Sequence, residues 1–256
     1  MNLIETEFND GVLTVTLCDE ENRNTLSVGL TSELAQILDA AETNPAVRVI
    51  VLTNRGRVFC AGADLSERSS HKEGGSKNKP IDPLEIFGRF RKSSKPYIGK
   101  IAGHCVAGGM GIAAAMDISI AIEEAKFGFT EVRIGVAPAI ISVLCLPKMR
   151  PSDASEAFLR GNRFSASEAA NMGLINAAVP ANELDATVEE VISDIKAGGP
   201  KAIAAAKQLT LQVPHMQIDE AFDWTSKLSA SLFKGEEAQE GMRAYLDKRP
   251  PSWMNE

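Results

Sequence analysis

The stretches Phe59-Cys60-Ala61-Gly62-Ala63-Asp64-Leu65 and Ala107-Gly108-Gly109-Met110-Gly111 decide how this chain reads. In each, small residues stand where a loop runs into a predicted helix. The first turn of a helix leaves backbone N–H groups without carbonyl partners, and small side chains let an anionic oxygen approach them. Two such elbows facing each other form an oxyanion hole, the device that stabilises an enolate or a tetrahedral centre.

The sequence around the elbows alternates strand and helix. Val12 to Leu17 puts Leu13, Val15 and Leu17 on one face and Thr14 and Thr16 on the other, the period of a half-buried strand. Leu30, Leu34, Ile37, Leu38 and Ala41 then recur at helical spacing. Val47–Leu52, Tyr97–Ile101 and Ile118–Ile122 are further β-rich runs, and the Ala-rich Ile112–Met116 is read as helix. Strands separated by helices imply parallel pairing and an α/β fold. The polar, Gly/Ser-rich segment 66–83 predicts a surface loop, either a lid beside the first elbow or a tolerated insertion. Beyond Pro180 the strand signals fade into four predicted helices, 183–195, 200–211, 218–233 and 236–246. This predicts a core over residues 1–195 and a helical region over 196–256, serving either oligomerisation or as a cap on the same subunit.

At 256 residues and 44% hydrophobic, the chain can bury one substantial core. A net charge of −7 argues against nucleic acid or an anionic membrane as partner, while backbone dipoles and a few basic side chains can still hold an anionic ligand. Cys18, Cys60, Cys105 and Cys145 show no metal or redox spacing and read as reduced fillers of a cytoplasmic protein. The N-terminus lacks a basic region followed by an apolar run, so no secretory signal is expected. His71, His104 and His215 stand alone, and no metal site is expected. His104, at a strand end near the proposed site, is read as a packed or hydrogen-bonded histidine rather than a base. Gly109-Met110-Gly111 with Ala114 satisfies a dinucleotide fingerprint. Its late position, and a Glu131 that does not end a clear strand, argue against that reading. Glu131 itself lies in Phe127-Gly128-Phe129-Thr130-Glu131-Val132-Arg133-Ile134-Gly135-Val136. Apolar surroundings would desolvate its carboxylate, raise its pKa and make it a better base. The bland alternatives are an ion pair with Arg133 or simple exposure. Glu123 and Glu124 read as solvated residues after a strand.

Taken in order and spacing, these elements resemble the crotonase (enoyl-CoA hydratase/isomerase) superfamily. The resemblance rests on Phe59 to Leu65, Gly103 to Gly109, Asp117-Ile118 and Phe127 to Gly135. Asn24-Thr25-Leu26-Ser27 near the start and Glu240-Gly241-Met242 through Lys248-Arg249-Pro250 near the end fit as well. The resemblance implies a ClpP-like spiral of repeated β-β-α turns with a C-terminal helical region, in homotrimers that often pair into hexamers. It implies an acyl-CoA thioester as ligand, with coenzyme A part of the substrate and no separate cofactor. The N–H groups of Ala63 and Gly108 would bind the thioester oxygen, and Glu131 would be the catalytic carboxylate. Ala61, Ala63, Asp64 and Leu65 would line the pantetheine and adenine side, with Arg23 near the CoA phosphates. Phe233 and Lys248 match C-terminal positions that contact CoA, in some relatives from a neighbouring subunit.

Two departures bear on the chemistry. Hydratases with two carboxylates carry one glutamate six residues before the Asp at position 117, where this chain has Gly111. The usual Pro-Gly-x-Gly-Gly stretch is here Pro138-Ala139-Ile140-Ile141-Ser142. The Glu131 to Ser142 segment looks like the methylglutaconyl-CoA hydratase branch. Three readings follow: hydration of a 2-enoyl-CoA by Glu131 with an ordered water in the space left by Gly111; a 3,2-enoyl-CoA isomerisation needing one base; or a silent acyl-CoA-binding homologue. The acyl pocket is expected between segment 66–83 and the apolar run 134–146.

Overall fold

Four strand–strand–helix turns follow one another in the computed structural model, which describes residues 2–69 and 83–254. The first comprises β1 (Ile4–Asn9), β2 (Val12–Leu17) and α1 (Val28–Thr43). The second has β3 (Val49–Asn54), β4 (Val58–Cys60), α2 (Leu65–Ser69) and α3 (Pro83–Lys92). The third has β5 (Tyr97–Ile101), β6 (His104–Val106) and α4 (Gly108–Ala115). The fourth has β7 (Ile118–Ile122), β8 (Lys126–Gly128), a 3-10 turn over Thr130–Ile134 and α5 (Ala139–Cys145). After these come α6 (Pro151–Arg160), β9 (Phe164–Ser165), α7 (Ala166–Asn171) and β10 (Ala177–Val179). Four helices finish the chain: α8 (Leu184–Ala197), α9 (Pro200–Gln212), α10 (Ile218–Lys234) and α11 (Glu236–Leu246).

From the second turn on, the first strand of each turn enters one sheet and the second strand another. The larger sheet runs β1-β2-β3-β5-β7-β10 and the smaller β4-β6-β8-β9. Among the described residues only the edge pairs β1/β2 and β8/β9 are antiparallel. The first hairpin closes on Asp10 and Gly11 at φ of 46° and 77°, the left-handed pair that a two-residue turn requires. Along β3 the alternation of a strand sorts side chains to two cores. Ile50 and Leu52 join the main core between the sheets and α1, α4 and α5, while Val49 and Val51 meet Ile98, Ile120 and the Leu184, Val188 and Ile192 face of α8. The predicted strands and the four C-terminal helices stand where expected, within a few residues.

One detail corrects the sequence reading. The start of the predicted loop is helical: α2 opens at Leu65, with Asp64 Oδ1 accepting from Ser66 N at 2.8 Å. The rest of that loop, with His71, lies outside the described residues. The boundary at 195/196 falls inside α8, whose end is held to the core by Arg48 Nη2 donating to Gly198 O at 2.8 Å.

The following helix, α9, is also pinned to the core. Buried Lys207 donates to Asp117 Oδ2 and to Lys95 O, both at 2.8 Å, and sits 4.9 Å from the Tyr97 ring centroid. Burial draws the Lys207 ammonium below its usual pKa, and Asp117 opposes that shift. Asp117 also accepts from Tyr97 N at 2.7 Å, so one carboxylate ties α9 to the start of β5. Removing it leaves a buried cation uncompensated. Asp117→Asn is expected to lower unfolding stability by about 3 kcal/mol in urea titration, and a loss below about 1 kcal/mol would show the pair to be dispensable.

Candidate active site

Three neighbouring strands of the small sheet, β4, β6 and β8, run parallel, so their carboxyl ends lie along one edge. β4 leads through Gly62 to Ala63, β6 through Ala107 to Gly108, and β8 through Phe129 to Glu131. The carboxyl edge of parallel strands is where α/β folds place ligands. Ala107 N donates to Gly128 O at 2.9 Å, locking the second elbow to the strand that delivers Glu131.

The two elbows touch. A methyl built on Gly62 would lie 2.7 Å from Ala107 Cβ and 2.8 Å from Gly108 N, and Gly62 has a φ of +89°. A methyl on Gly108 would lie 3.6 Å from Ala63 N. The contact therefore needs glycine at 62 on both steric and conformational grounds. Residues 23–26 clamp the first elbow from behind: Ala61 N donates to Arg23 O at 3.1 Å and Leu26 N to Gly62 O at 2.7 Å. Among the described residues, neither Ala63 N nor Gly108 N donates a hydrogen bond. Gly108 opens α4, so its N–H has no carbonyl within the helix. Two free amides on touching backbones can share one anionic oxygen.

Glu131 occupies the first turn of the 3-10 segment. Its Oε2 is shielded from solvent and has no hydrogen-bond partner among the described residues. Burial raises its carboxyl pKa above the usual 4.5. The ion pair weighed against a catalytic role does not form, because Arg133 donates instead to Arg160 O at 2.8 Å and Gly161 O at 3.4 Å. Glu123 and Glu124 are exposed, as expected.

The other site residues scatter by degrees. Ala61, Ala63 and Asp64 line the first elbow half-buried, and Leu65 stands 56% exposed at the start of α2. The Asp64 carboxylate caps that helix, and its hydrogen bond from the Ser66 hydroxyl at 2.6 Å holds its pKa low. Arg23 is exposed at φ +57°, its carbonyl against Ala61. Phe233 lies exposed on α10 and Lys248 exposed just after α11, on elements separate from the strand edge. His104 is hydrogen-bonded, as expected, its Nδ1 accepting from Lys126 N at 3.1 Å, but it opens β6 at the strand end opposite the elbow rather than beside the site. Cys60 is fully buried and its thiol is pushed up to about 12, which makes it inert.

The space beside Gly111 is a second correction. A methyl there would lie 2.4 Å from Ile141 Cγ2 and 2.9 Å from Phe87 Cζ. Side chains, not room for a water, fill that volume. The altered stretch at 138–142 and the glycine at 111 are far apart in sequence and are joined only by the packing of α4 on α5. Simultaneous loss of a side chain at one position and gain at another was the available signal.

Among the described residues no cluster of metal-ligating side chains occurs, and no helix is long and apolar enough to cross a membrane. The profile of the enoyl-CoA hydratase/isomerase family matches residues 7–256. A mevalonyl-coenzyme A hydratase of Aspergillus fumigatus is 34% identical, covering 94% of this chain and 91% of its own. The enoyl-CoA hydratase EchA19 of Mycobacterium tuberculosis is 32% identical over 95% and 93%. The crystal structure of an enoyl-CoA hydratase from Mycobacterium smegmatis superposes with a TM-score of 0.91 at 26% identity, covering 99% of both chains. With its spiral of β-β-α turns and its paired elbows, the chain belongs to the enoyl-CoA hydratase/isomerase family.

Proposed function

We propose that the protein adds water to a 2-enoyl-CoA thioester, with Glu131 as the only side chain that moves protons. The observation that carries this reading is the shielded Glu131 Oε2, without a partner among the described residues, on the same sheet edge as two unused amides. The thioester oxygen accepts from Ala63 N and Gly108 N. The Glu131 carboxylate takes a proton from water as its oxygen bonds to C3. The C2=C3 electrons move onto the thioester oxygen as an enolate. The enolate then collapses, C2 takes the proton back from Glu131, and one water has been added across the double bond. Each backbone donor of such a hole is worth about 10²–10³ in rate. With the volume at 111 filled, water must reach Glu131 from its solvent-facing side. Ala61, Asp64, Leu65 and Arg23 would flank the CoA moiety, which enters as part of the substrate.

Hydration is supported by the names of relatives, a mevalonyl-coenzyme A hydratase and an enoyl-CoA hydratase among them, and fits the resemblance read in the Glu131 to Ser142 stretch. One observation favours a second reading. The Ile141 and Phe87 wall offers no polar group to hold water, and a 1,3-proton shift of a 3-enoyl-CoA needs only one base. Absorbance of the conjugated enoyl group separates the two: crotonyl-CoA loses it on hydration, and 3-hexenoyl-CoA gains it on isomerisation. Binding of both without change would leave a silent homologue. In either active case Glu131→Gln is expected to cut turnover at least about 10²-fold while acyl-CoA binding persists. Full activity of that variant rejects the assignment. Its folding readout has a fixed sign. The folded pKa of Glu131 lies above the unfolded value, so the charge penalty is absent below the unfolded value and is complete once pH has risen through the folded value. At pH 8 Glu131→Gln should therefore melt no lower than the parent.

The same shift predicts the pH profile. As a base Glu131 works deprotonated, so kcat/KM should fall on acidification with a midpoint above the usual 4.5. A midpoint at or below that value would remove Glu131 from the base role.

We further propose a homotrimer, or a hexamer of two trimers, in which Phe233 and Lys248 approach the CoA of a neighbour. Support comes from apolar side chains left exposed on the last two helices, among them Ile218 at 71%, Phe222 at 68% and Leu246 at 78%. Light scattering should give three or six chains per particle. A monomer at micromolar concentration would reject the assembly.

A further inference from the structure

Positions 111 and 141 compete for one volume. Gly111 lies one helical turn beyond Gly108 on α4, so a side chain there would share the face that carries the free amide. That space is taken by Ile141 from α5, itself 4% exposed, and by Phe87 from α3, also 4% exposed. Ile141 cannot swing aside. It is β-branched in a helix, which restricts its χ1 rotamer, and its own Cβ would lie 3.1 Å from a methyl at 111. Four residues further along α5, the Cys145 thiol reaches Met110 O at 3.7 Å, so the same helix face is closed against α4 over a full turn. Leu144 and Cys145 are buried too.

We infer that Ile141 is the residue that keeps the site to a single carboxylate, by occupying the volume a side chain at 111 would need and presenting only hydrocarbon in its place. The wall behind the second elbow is thereby hydrocarbon at Ile141 and Phe87, and the titratable group it holds, the Cys145 thiol, points to Met110 O and is kept protonated by burial, so it cannot act as a second acid–base partner for Glu131. In this chain a side chain at 111 needs Ile141 removed first. The functional half of this inference rests on the proton-transfer role of Glu131, while the steric half does not.

The two halves are tested with separate readouts on the full-length protein. Gly→Ala inside a helix normally raises Tm. Here Gly111→Ala should lower it, and in an Ile141→Ala background the same change should raise it. That reversal of sign is the expected result, and an equal Tm shift in both backgrounds overturns the steric interlock. For the chemistry, Gly111→Glu is combined with Ile141→Gly. The double variant should melt near Ile141→Gly alone, and its pH–rate profile with crotonyl-CoA should gain an ionisation that Ile141→Gly lacks. A well-folded double variant with an unchanged profile overturns the functional half. If the parent turns over no enoyl-CoA, the proposed reaction fails, and the Tm reversal still decides the interlock.

Discussion

The structure depends on one backbone-to-backbone approach, that of Gly62 to Ala107 and Gly108. Everything chemical about the strand edge follows from it, because two amides can serve one oxygen only when their chains are in van der Waals contact. No side chain fits between them. The cost falls partly on Ala107, a non-glycine residue held at φ 49° and ψ −124°. Strain of this kind persists where neighbours over-determine the backbone. Here Ala107 N is fixed by Gly128 O and its carbonyl by Met110 N, both at 2.9 Å.

Glu131 adds a second strained element of a different kind. A carboxylate oxygen out of water with no donor is unfavourable for folding, and the surrounding core must compensate for it. That arrangement is what a proton carrier needs, since a satisfied carboxylate would be a weaker base. Arg133, two residues on, would neutralise the effect if it turned inward. Its hydrogen bonds to the carbonyls at the end of α6 keep it away. Stability and basicity are thus opposed at one residue, and the local backbone decides in favour of basicity.

Much of this was legible in the sequence, and unevenly. The β-rich runs around Ile50, Ile98 and Ile120 and the four terminal helices have clear periodicity, since each buries one face. The short strands β4, β6 and β8 do not. Three residues carry no period, and they become strands only because the large sheet brings them side by side. The elbows were readable from their small residues, whereas the clamp by Arg23 and Leu26 joins segments some forty residues apart and leaves no local trace. His104 was misplaced because a sequence does not say which end of a three-residue strand faces the ligand. The filling of position 111 was hidden for a similar reason: Gly111, Ile141 and Phe87 meet only through the packing of three helices.

The two parts of the site therefore respond differently to substitution. The paired free amides are main chain, so their geometry tolerates changes of side chain wherever glycine at 62 and the touching elbows remain. The proton-handling wall is built from side chains and is free to vary by exchange of volume between α4 and α5. A fold that separates these duties can hold a thioester oxygen in a constant place while the groups facing C2 and C3 change. In this chain that exchange leaves Glu131 beside a wall of Ile141 and Phe87, and under the proposed reaction the proton that Glu131 takes is the one it returns.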